Sequence, residues 1–372
     1  MDFYLTIHFL VILSTIFEFS TKKTKIKILW FWVLFFTYIG GFRWKIGGDW
    51  DQYYYYFENC SLLHIFDTVR YGNDFLEPGF VFLNAICKII LGKFYIYNIL
   101  VTFFYQFTII SICRRYSPQY PILMYAFIMT TSGTASYFAV RAGLAAAMMY
   151  WTYLYIEKRE LKKFLLIILI GSNIHILCLV MLPFYWVGKI RFNYLTATVC
   201  YFAVALFAVL FREYFQVIAL LMGGNVAYKA DVYTSGETIG FSGATSFGWI
   251  LYYMLFMLFV FMRKYSNNKY FYNTLLVLYF ALRAIMMVFS DGMGDLTRLS
   301  SGLGPVFSIL LIFAFTKLME KKKMGYILIA FTLYISVSFY NYSKIGTGFF
   351  FMDTCVPYKT IFDYNNLGTP NW

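Results

Sequence analysis

The segment "FLLIILIGSNIHILCLVMLPFYW", residues 164–186, decides the fold because of the charges around it. Basic residues flank it on both sides: Lys162, Lys163, Lys189 and Arg191. Lys and Arg collect in cytoplasmic loops, so both ends of the segment are predicted on one side of a membrane. One crossing takes about 20 residues, which leaves too few here for two. The pattern predicts a broken, re-entrant hairpin over residues 163–187, with its tip near Gly171–His175.

The whole chain has the composition of a membrane protein. Of its 372 residues, 61% are hydrophobic and 13% are charged, whereas a soluble domain carries about 25% charged residues. The apolar residues form blocks of about 20, the length of a membrane span. This composition predicts an all-α polytopic membrane protein, a single integral membrane domain over residues 1–372, with about 10–12 transmembrane or re-entrant helices.

The net charge of +13 is explained by topology and does not indicate nucleic acid. We predict that the basic clusters face the cytoplasm: 22–27, 114–115, 158–163, 189–191, 263–269 and 317–323. Alternation of the helices then places the following segments outside: a loop with an interfacial helix at 43–95, loops at 212–246 and 290–303, and the C-terminal tail at 341–372. The sequence has neither a P-loop nor a GxGxxG motif, so the function is expected at the outer face without nucleotide.

Four arginines outside the basic clusters are candidates for binding an anion. Arg43, Arg141 and Arg298 are predicted at outer helix ends or in outer loops, and Arg283 lies within an apolar run. A charge inside a membrane segment is costly and marks a functional candidate. The guanidinium fork binds phosphate and stays charged, which points to a phosphate ligand, including a lipid phosphate. The alternative for a single arginine is that it snorkels to the interface.

Acidic residues and one histidine supply candidates for proton transfer. Asp49 follows a glycine pair and could act as a base or orient a sugar hydroxyl, or else pair with Arg43. Glu77 precedes Pro78, which also suits the start of a helix, and Asp295 lies close to Arg298. His175 at the hairpin tip is either a catalytic or ligand-orienting group or a packed histidine. No spacing of His or Cys indicates a metal site.

The stretch "FRWKIGGDWDQYYYYF", residues 42–57, concentrates aromatic residues next to charges. An aromatic belt at the membrane interface accounts for most of them. Trp50 and Tyr53 are also candidates for stacking on sugar rings. The two interpretations are compatible.

Four motifs in order resemble the EpsG family of Wzy-type bacterial polysaccharide polymerases. They are "FRWKIGGDWDQYYYYF" (42–57), "EPGFVFLN" (77–84), "YFAVRAGLAAA" (137–147) and "KKFLLIILIGSNIHILCLVMLPFYW" (162–186). The resemblance implies a GT-C-like polymerase architecture with an outer-facing cavity, in the inner membrane of a bacterium with its active site facing the periplasm or the outside.

The resemblance also implies an activity. The enzyme would be a glycosyltransferase that joins undecaprenyl-diphosphate-linked oligosaccharide repeat units into O-antigen, capsule or exopolysaccharide. Arg141 and Arg298 would clamp the diphosphate with help from Arg43, while Asp49 or His175 activates the acceptor hydroxyl. The remaining candidates would contact substrate: Arg283, Trp50, Tyr53, Glu77 and Asp295. Expected partners are membrane lipid, a chain-length regulator and a flippase, with no cofactor, metal or nucleic acid.

Three other functions stay open from the sequence. A flippase for lipid-linked oligosaccharides would explain the helices and outer charges, although the two halves show no internal similarity of the kind found in transporters. A ligase that uses the same lipid donor is close to the polymerase in its requirements. An acyltransferase built around His175 would need a donor site open to the cytoplasm, whereas the candidate residues are predicted outside.

Overall fold

A computed structural model describes residues 2–47, 49–66, 76–131, 140–222, 246–289, 294–320 and 358–362. Within these ranges the regular secondary structure is helical, apart from one isolated β-bridge between Arg43 and Thr360. The prediction of an all-α protein is confirmed.

The α-helices are α1 (Asp2–Leu13), α2 (Lys22–Gly41), α3 (Trp50–Asn59), α4 (Pro78–Leu91), α5 (Phe94–Tyr116), α6 (Pro121–Thr131), α7 (Arg141–Lys158), α8 (Leu161–Ile174), α9 (Tyr194–Met222), α10 (Ser246–Met262), α11 (Lys269–Val288) and α12 (Gly304–Glu320). The 3-10 helices are Ser14–Phe19, Leu62–His64, Ile176–Tyr185, Val187–Lys189, Arg263–Tyr265 and Gly294–Leu303.

Four of the described segments are long and apolar enough to cross a membrane: Phe94–Tyr116, Tyr194–Phe211, Lys269–Val288 and Leu299–Leu318. Shorter apolar helices cover Thr6–Glu18, Pro78–Leu91 and Ile176–Lys189. The chain is therefore a helical, polytopic membrane protein, as predicted. The total number of crossings, the GT-C-like architecture and the sidedness stay predictions.

Two predicted loops differ from the structure where it is described. The loop expected from residue 212 begins later, because α9 continues to Met222 through apolar residues that suit a helix. In the loop expected at 290–303, Gly294–Leu303 forms a 3-10 helix. Most of the loop at 212–246 and most of the tail at 341–372 lie outside the described residues.

The chain divides into two compact units. The first comprises Met1–Tyr153, Lys162–Leu179 and Lys322–Trp372, and the second comprises Leu154–Leu161 and Val180–Lys321. The division falls inside the predicted hairpin, after Leu179.

Helices α2 and α5 of the first unit pack tightly and run antiparallel. Gly41 permits this packing, because an added Cβ would lie 2.9 Å from the Cα of Ile99. The ring of Phe42, just after α2, stacks on Tyr95 at the start of α5, with centroids 6.2 Å apart. At the opposite end, Lys25 donates to the Gln119 carbonyl at 2.6 Å. The positive-inside rule requires this arrangement if clusters 22–27 and 114–115 share the cytoplasmic side. We call this end the basic end, and the end with Phe42 and Phe94 the site end.

Helix α7 runs parallel to α5, so Arg141 at its start lies at the site end. The Trp151 indole donates to the Thr108 hydroxyl at 3.1 Å, in the halves of both helices nearer the basic end. Val140 and Leu144 belong to the same hydrophobic cluster as Phe94. The start of α7 therefore lies in the same hydrophobic cluster as the start of α5.

In the second unit, α11 is held among aromatic side chains. Tyr279 of α11 packs edge-on against Phe259 of α10 and stacks on Phe307 of α12, at centroid distances of 5.1 and 6.1 Å. The Tyr272 hydroxyl donates to the Phe259 carbonyl at 2.9 Å.

Candidate functional site

Glu77, Arg141 and His175 come together at the site end of the first unit. Arg141 donates from Nη2 to Oε2 of Glu77. The Nδ1 atom of His175 lies 3.3 Å from Oε1 of Glu77. The sequence predicted all three as site residues but gave no reason to place them in contact. We call them the Glu77 cluster.

The backbone of Glu77 starts a helix, whereas its side chain contacts other elements. Its extended backbone (φ −69°, ψ 143°) starts α4, and its carbonyl accepts from the amides of Phe80 and Val81 at 3.0 and 3.1 Å. Pro78 occupies the first helical position, where its missing N–H costs nothing. The carboxylate makes no capping bond to its own helix. It is therefore available to Arg141 and His175.

The backbone breaks at His175, the predicted position of the hairpin tip. The amide of His175 still donates to the Gly171 carbonyl at 2.8 Å as the last bond of α8. The next amide, of Ile176, donates instead to Oε1 of Glu77 at 3.0 Å. The carboxylate thus supplies an acceptor for this amide where the helix ends. That the segment enters and leaves on one side of the membrane stays a prediction.

Two glycines let the elements of the cluster approach each other. An added Cβ on Gly79, in the first turn of α4, would lie 2.7 Å from the Asn173 carbonyl oxygen. One on Gly171 would lie 2.7 Å from Sγ of Cys178. Gly79 carries a signal in the sequence, because a glycine inside a helix costs about 1 kcal/mol relative to alanine and so suggests a packing reason.

The Glu77 carboxyl is buried among groups that stabilise its charged form. Glu77 is 6% exposed. Burial raises its pKa, but the bonds from His175 and the Ile176 amide and the charge of Arg141 together lower the pKa below its ordinary value. A buried carboxylate is stable when its lone pairs are satisfied in this way. The Arg141 and His175 side chains stay 18% and 19% exposed, so both can be reached by a ligand.

A comparison with protein families decides the relationship. The model of the EpsG family matches residues 26–360, which includes the whole Glu77 cluster. The chain belongs to the EpsG family. This family is associated with polysaccharide biosynthesis. Neither the curated proteins nor the solved structures give a significant match.

Two candidates of this EpsG-family protein, Arg43 and Trp50, lie in its interior. Arg43 is 3% exposed and donates from Nη1 to the Ile46 carbonyl at 3.1 Å. Trp50 is also 3% exposed. Its ring lies 4.6 Å from that of Trp44 and stacks on Tyr54 at 5.4 Å. Trp44 and Trp50 belong to one buried hydrophobic cluster, against which Tyr54 packs.

Asp49 and Tyr53 lie nearer the surface. Asp49 is exposed immediately before α3, and its carbonyl accepts from the Tyr53 amide at 3.0 Å. Tyr53 is partly buried, with its ring edge-on to Phe80, 6.3 Å between centroids. Phe80 also lies 5.8 Å from the Arg141 guanidinium. The Phe80 ring thus lies between Tyr53 and Arg141 of the Glu77 cluster.

Arg283, Asp295 and Arg298 belong to the second unit. The guanidinium carbon of Arg283 lies 3.6 Å from the centre of the Tyr252 ring, and Tyr279 and Phe307 also surround it. Cation–π contacts stabilise a charge within an apolar run. Asp295 and Arg298 have their backbone in the helix Gly294–Leu303. Their side chains lie outside the described part of the chain, and their roles stay predictions.

Metal ligation has no candidate in the described residues, among which no group of His, Cys, Asp and Glu could hold an ion. The site therefore offers a guanidinium, an imidazole and a carboxylate as its chemical groups.

Proposed function

We propose that this EpsG-family protein is a polysaccharide polymerase that acts on polyprenyl-diphosphate-linked repeat units, such as the undecaprenyl form. The Glu77 cluster carries the proposal, because it combines a cation for an anionic leaving group with a base for a hydroxyl. In the reaction, the acceptor hydroxyl attacks the anomeric carbon of the donor glycan. The bond from this carbon to the diphosphate breaks, and the diphosphate leaves with the electron pair.

Arg141 stabilises the leaving diphosphate. Negative charge develops on the diphosphate oxygens as the glycosidic bond breaks, and fixed cations placed at developing charge lower the barrier. The ion pair with Glu77 fixes the orientation of the guanidinium before substrate arrives. Arginine suits this role, because its planar fork binds two phosphate oxygens at once.

His175 takes the proton of the acceptor hydroxyl. The Nδ1 atom lies beside the Glu77 carboxylate, which only accepts hydrogen bonds, so a proton on Nδ1 would leave the lone pair on Nε2. Nε2 then removes the proton from the hydroxyl as the new bond forms. Glu77 orients both groups: it holds the imidazole with one oxygen and the guanidinium with the other.

The charge distribution of the first unit supports an outer-facing site. Clusters 22–27 and 114–115 lie at the basic end, and the Glu77 cluster lies at the site end. By the positive-inside rule the basic end faces the cytoplasm. We therefore propose an inner-membrane enzyme whose site opens to the periplasm or the outside, where lipid-linked repeats are joined.

An open apolar groove along α8 suits the lipid part of the substrate. Its volume is about 480 Å³, and it is lined by Lys162, Leu165, Leu166, Ile168, Leu169, Ser172 and Leu179. The lining residue Ser172 lies in the last turn of α8, immediately before the break at His175. A polyprenyl chain in this groove would place its diphosphate beside the Glu77 cluster.

The test is reconstitution of the purified protein in liposomes with a synthetic polyprenyl-diphosphate-linked repeat and no nucleotide. We expect a ladder of products that differ by one repeat unit, resolved on a gel. Translocation of the lipid across the bilayer without chain growth would support a flippase instead. Transfer of single repeats only to an added acceptor that carries no lipid would support a ligase.

Replacing His175 with alanine is expected to lower the rate of chain growth by about 10²–10⁴-fold, the range for loss of a general base. His64→Ala is the matched control, because His64 is exposed in the separate helix Leu62–His64. Asp49→Asn tests the other candidate. If Asp49→Asn abolished chain growth and His175→Ala did not, the base would be Asp49.

A further inference from the structure

The segment 358–362 near the C-terminus pairs with the chain just after α2. The Trp44 amide donates to the Lys359 carbonyl at 3.0 Å, and the Ile361 amide donates to the Phe42 carbonyl at 2.9 Å. Between these bonds, Arg43 and Thr360 form an antiparallel bridge. We call residues 358–362 the C-terminal strap.

Side chains tie the strap to two helices as well. The Tyr358 hydroxyl donates to the Ile39 carbonyl in the last turn of α2 at 2.7 Å. The Tyr358 ring stacks on Phe3 of α1, with centroids 4.8 Å apart and planes at 17°. The Phe362 ring stacks on Phe42 at 5.4 Å. The strap therefore joins α1, α2 and the start of the following loop.

The loop that the strap holds, residues 43–47, has an uncommon backbone conformation. Lys45 has φ +48° and Gly47 has φ +92°. A left-handed conformation is unfavourable for a residue such as lysine and persists where surrounding contacts determine it. Two kinds of contact determine the conformation of this loop. Within the loop, the Arg43 side chain donates to the Ile46 carbonyl. From the strap, the Lys359 carbonyl accepts from the Trp44 amide.

The held loop contacts the core on which the Glu77 cluster is built. Trp44 lies edge-on against Trp50, 4.6 Å between centroids. Both rings belong to one buried cluster with Phe80 of α4, Leu144 of α7 and Ile174 of α8. These helices carry Glu77 and Arg141 at their starts and His175 at the end. The position of the loop thus bears on the position of all three groups.

We propose that the C-terminal strap is a positioning element of the polymerase site, acting through Arg43 and its loop. Arg43 is then a positioning residue, which holds the loop from inside and does not contact the diphosphate. The expected effect of the strap on catalysis rests on the proposed function. The pairing of the strap with the loop can be measured without substrate.

Ile361→Pro tests the proposal with Ile361→Ala as the matched control. Proline removes the N–H that bonds to Phe42, and its ring keeps the preceding Thr360 extended. Alanine also removes the Ile361 side chain, which packs against the buried cluster of Trp44 and Trp50, but it keeps the bond. We expect Ile361→Pro to lower kcat for chain growth about tenfold with KM within twofold, and Ile361→Ala to lower kcat by no more than about threefold. Equal losses in the two variants would overturn the proposal.

A double-mutant cycle separates positioning from general stability. If the strap acts through Arg43, Ile361→Pro should change kcat little once Arg43→Ala is present, because coupled residues are not additive. Multiplicative losses would show independent roles and overturn the proposal. Trp32→Phe removes a hydrogen bond to Ser14 (3.1 Å) at the middle of α2. It should lower thermal stability without changing kcat.

Hydrogen exchange distinguishes failure of the strap proposal from failure of the proposed polymerase function. In the parent protein the amides of Trp44 and Ile361 should exchange slowly, and Ile361→Pro should speed exchange at Trp44. Unchanged exchange at Trp44 would overturn the strap. If the parent showed this protection yet formed no polymer, the strap would stand as a structural element and the proposed function would fail.

Discussion

Arg141→Ala is expected to lower the rate of polymer formation by about 100-fold or more, the size of loss seen when one fixed donor to a developing anion is removed. The guanidinium is partly exposed and held by Glu77 at the site end. Without it, the leaving diphosphate loses a cation that is already oriented. The measurement is the initial rate of chain growth in the reconstituted liposome assay.

The effect on chemistry must be separated from an effect on folding. Arg141→Ala leaves the Glu77 carboxylate buried without that cation, which is destabilising by itself. The double variant Arg141→Ala/Glu77→Gln removes the uncompensated charge and should recover thermal stability without recovering the rate. Arg141→Lys keeps the charge but lacks the fork, so we expect an intermediate rate.

A matched arginine controls for loss of positive charge. Arg114 is exposed in the last turn of α5, at the basic end of the first unit. Arg114→Ala should leave the rate within twofold of the parent. A rate for Arg141→Ala within about threefold of the parent, at equal protein level, would contradict the role of Arg141.

The helical membrane fold and the break at His175 could be predicted from the sequence, because both depend on local patterns. Apolar blocks of membrane length give the fold class. Flanking lysines and arginines predict an even number of crossings, and this prediction led to a break being expected in residues 163–187. The end of α9 was harder to predict, because the apolar residues up to Met222 continue past the short polar stretch that suggested a loop.

The contacts of the Glu77 cluster could not be predicted in the same way. Glu77 and Arg141 are 64 positions apart, and Glu77 and Ile176 are 99 positions apart. Local chemistry predicted Glu77 as the start of α4, and its backbone has that role. The carboxylate binds elsewhere because tertiary packing places the end of α8 beside it. The burial of Arg43 and Trp50 follows likewise from strap and core contacts that no local pattern contains.

Gly79→Ala should disrupt the site indirectly, through the backbone, because the close approach of α4 to α8 leaves no room for a side chain. The added Cβ would lie 2.7 Å from the carbonyl oxygen of Asn173 and 2.8 Å from its Cβ. The oxygen belongs to the backbone, so one helix end must move, which separates Glu77 from His175. We expect a stability loss of about 1–3 kcal/mol, typical of overpacking, and a rate at least about tenfold lower.

Gly92→Ala provides the control on the same helix. Gly92 is the C-cap of α4 with φ +67°, and an added Cβ there would meet no atom within 4 Å. Its left-handed backbone makes alanine cost about 1–2 kcal/mol, so the two variants should lose comparable stability in thermal unfolding. Only Gly79→Ala should lower the rate of chain growth. If both variants lost the same rate, activity would depend only on the stability of α4, and the prediction would be wrong. A loss confined to Gly79→Ala would show that the Glu77 cluster requires the first turn of α4 to stay against Asn173.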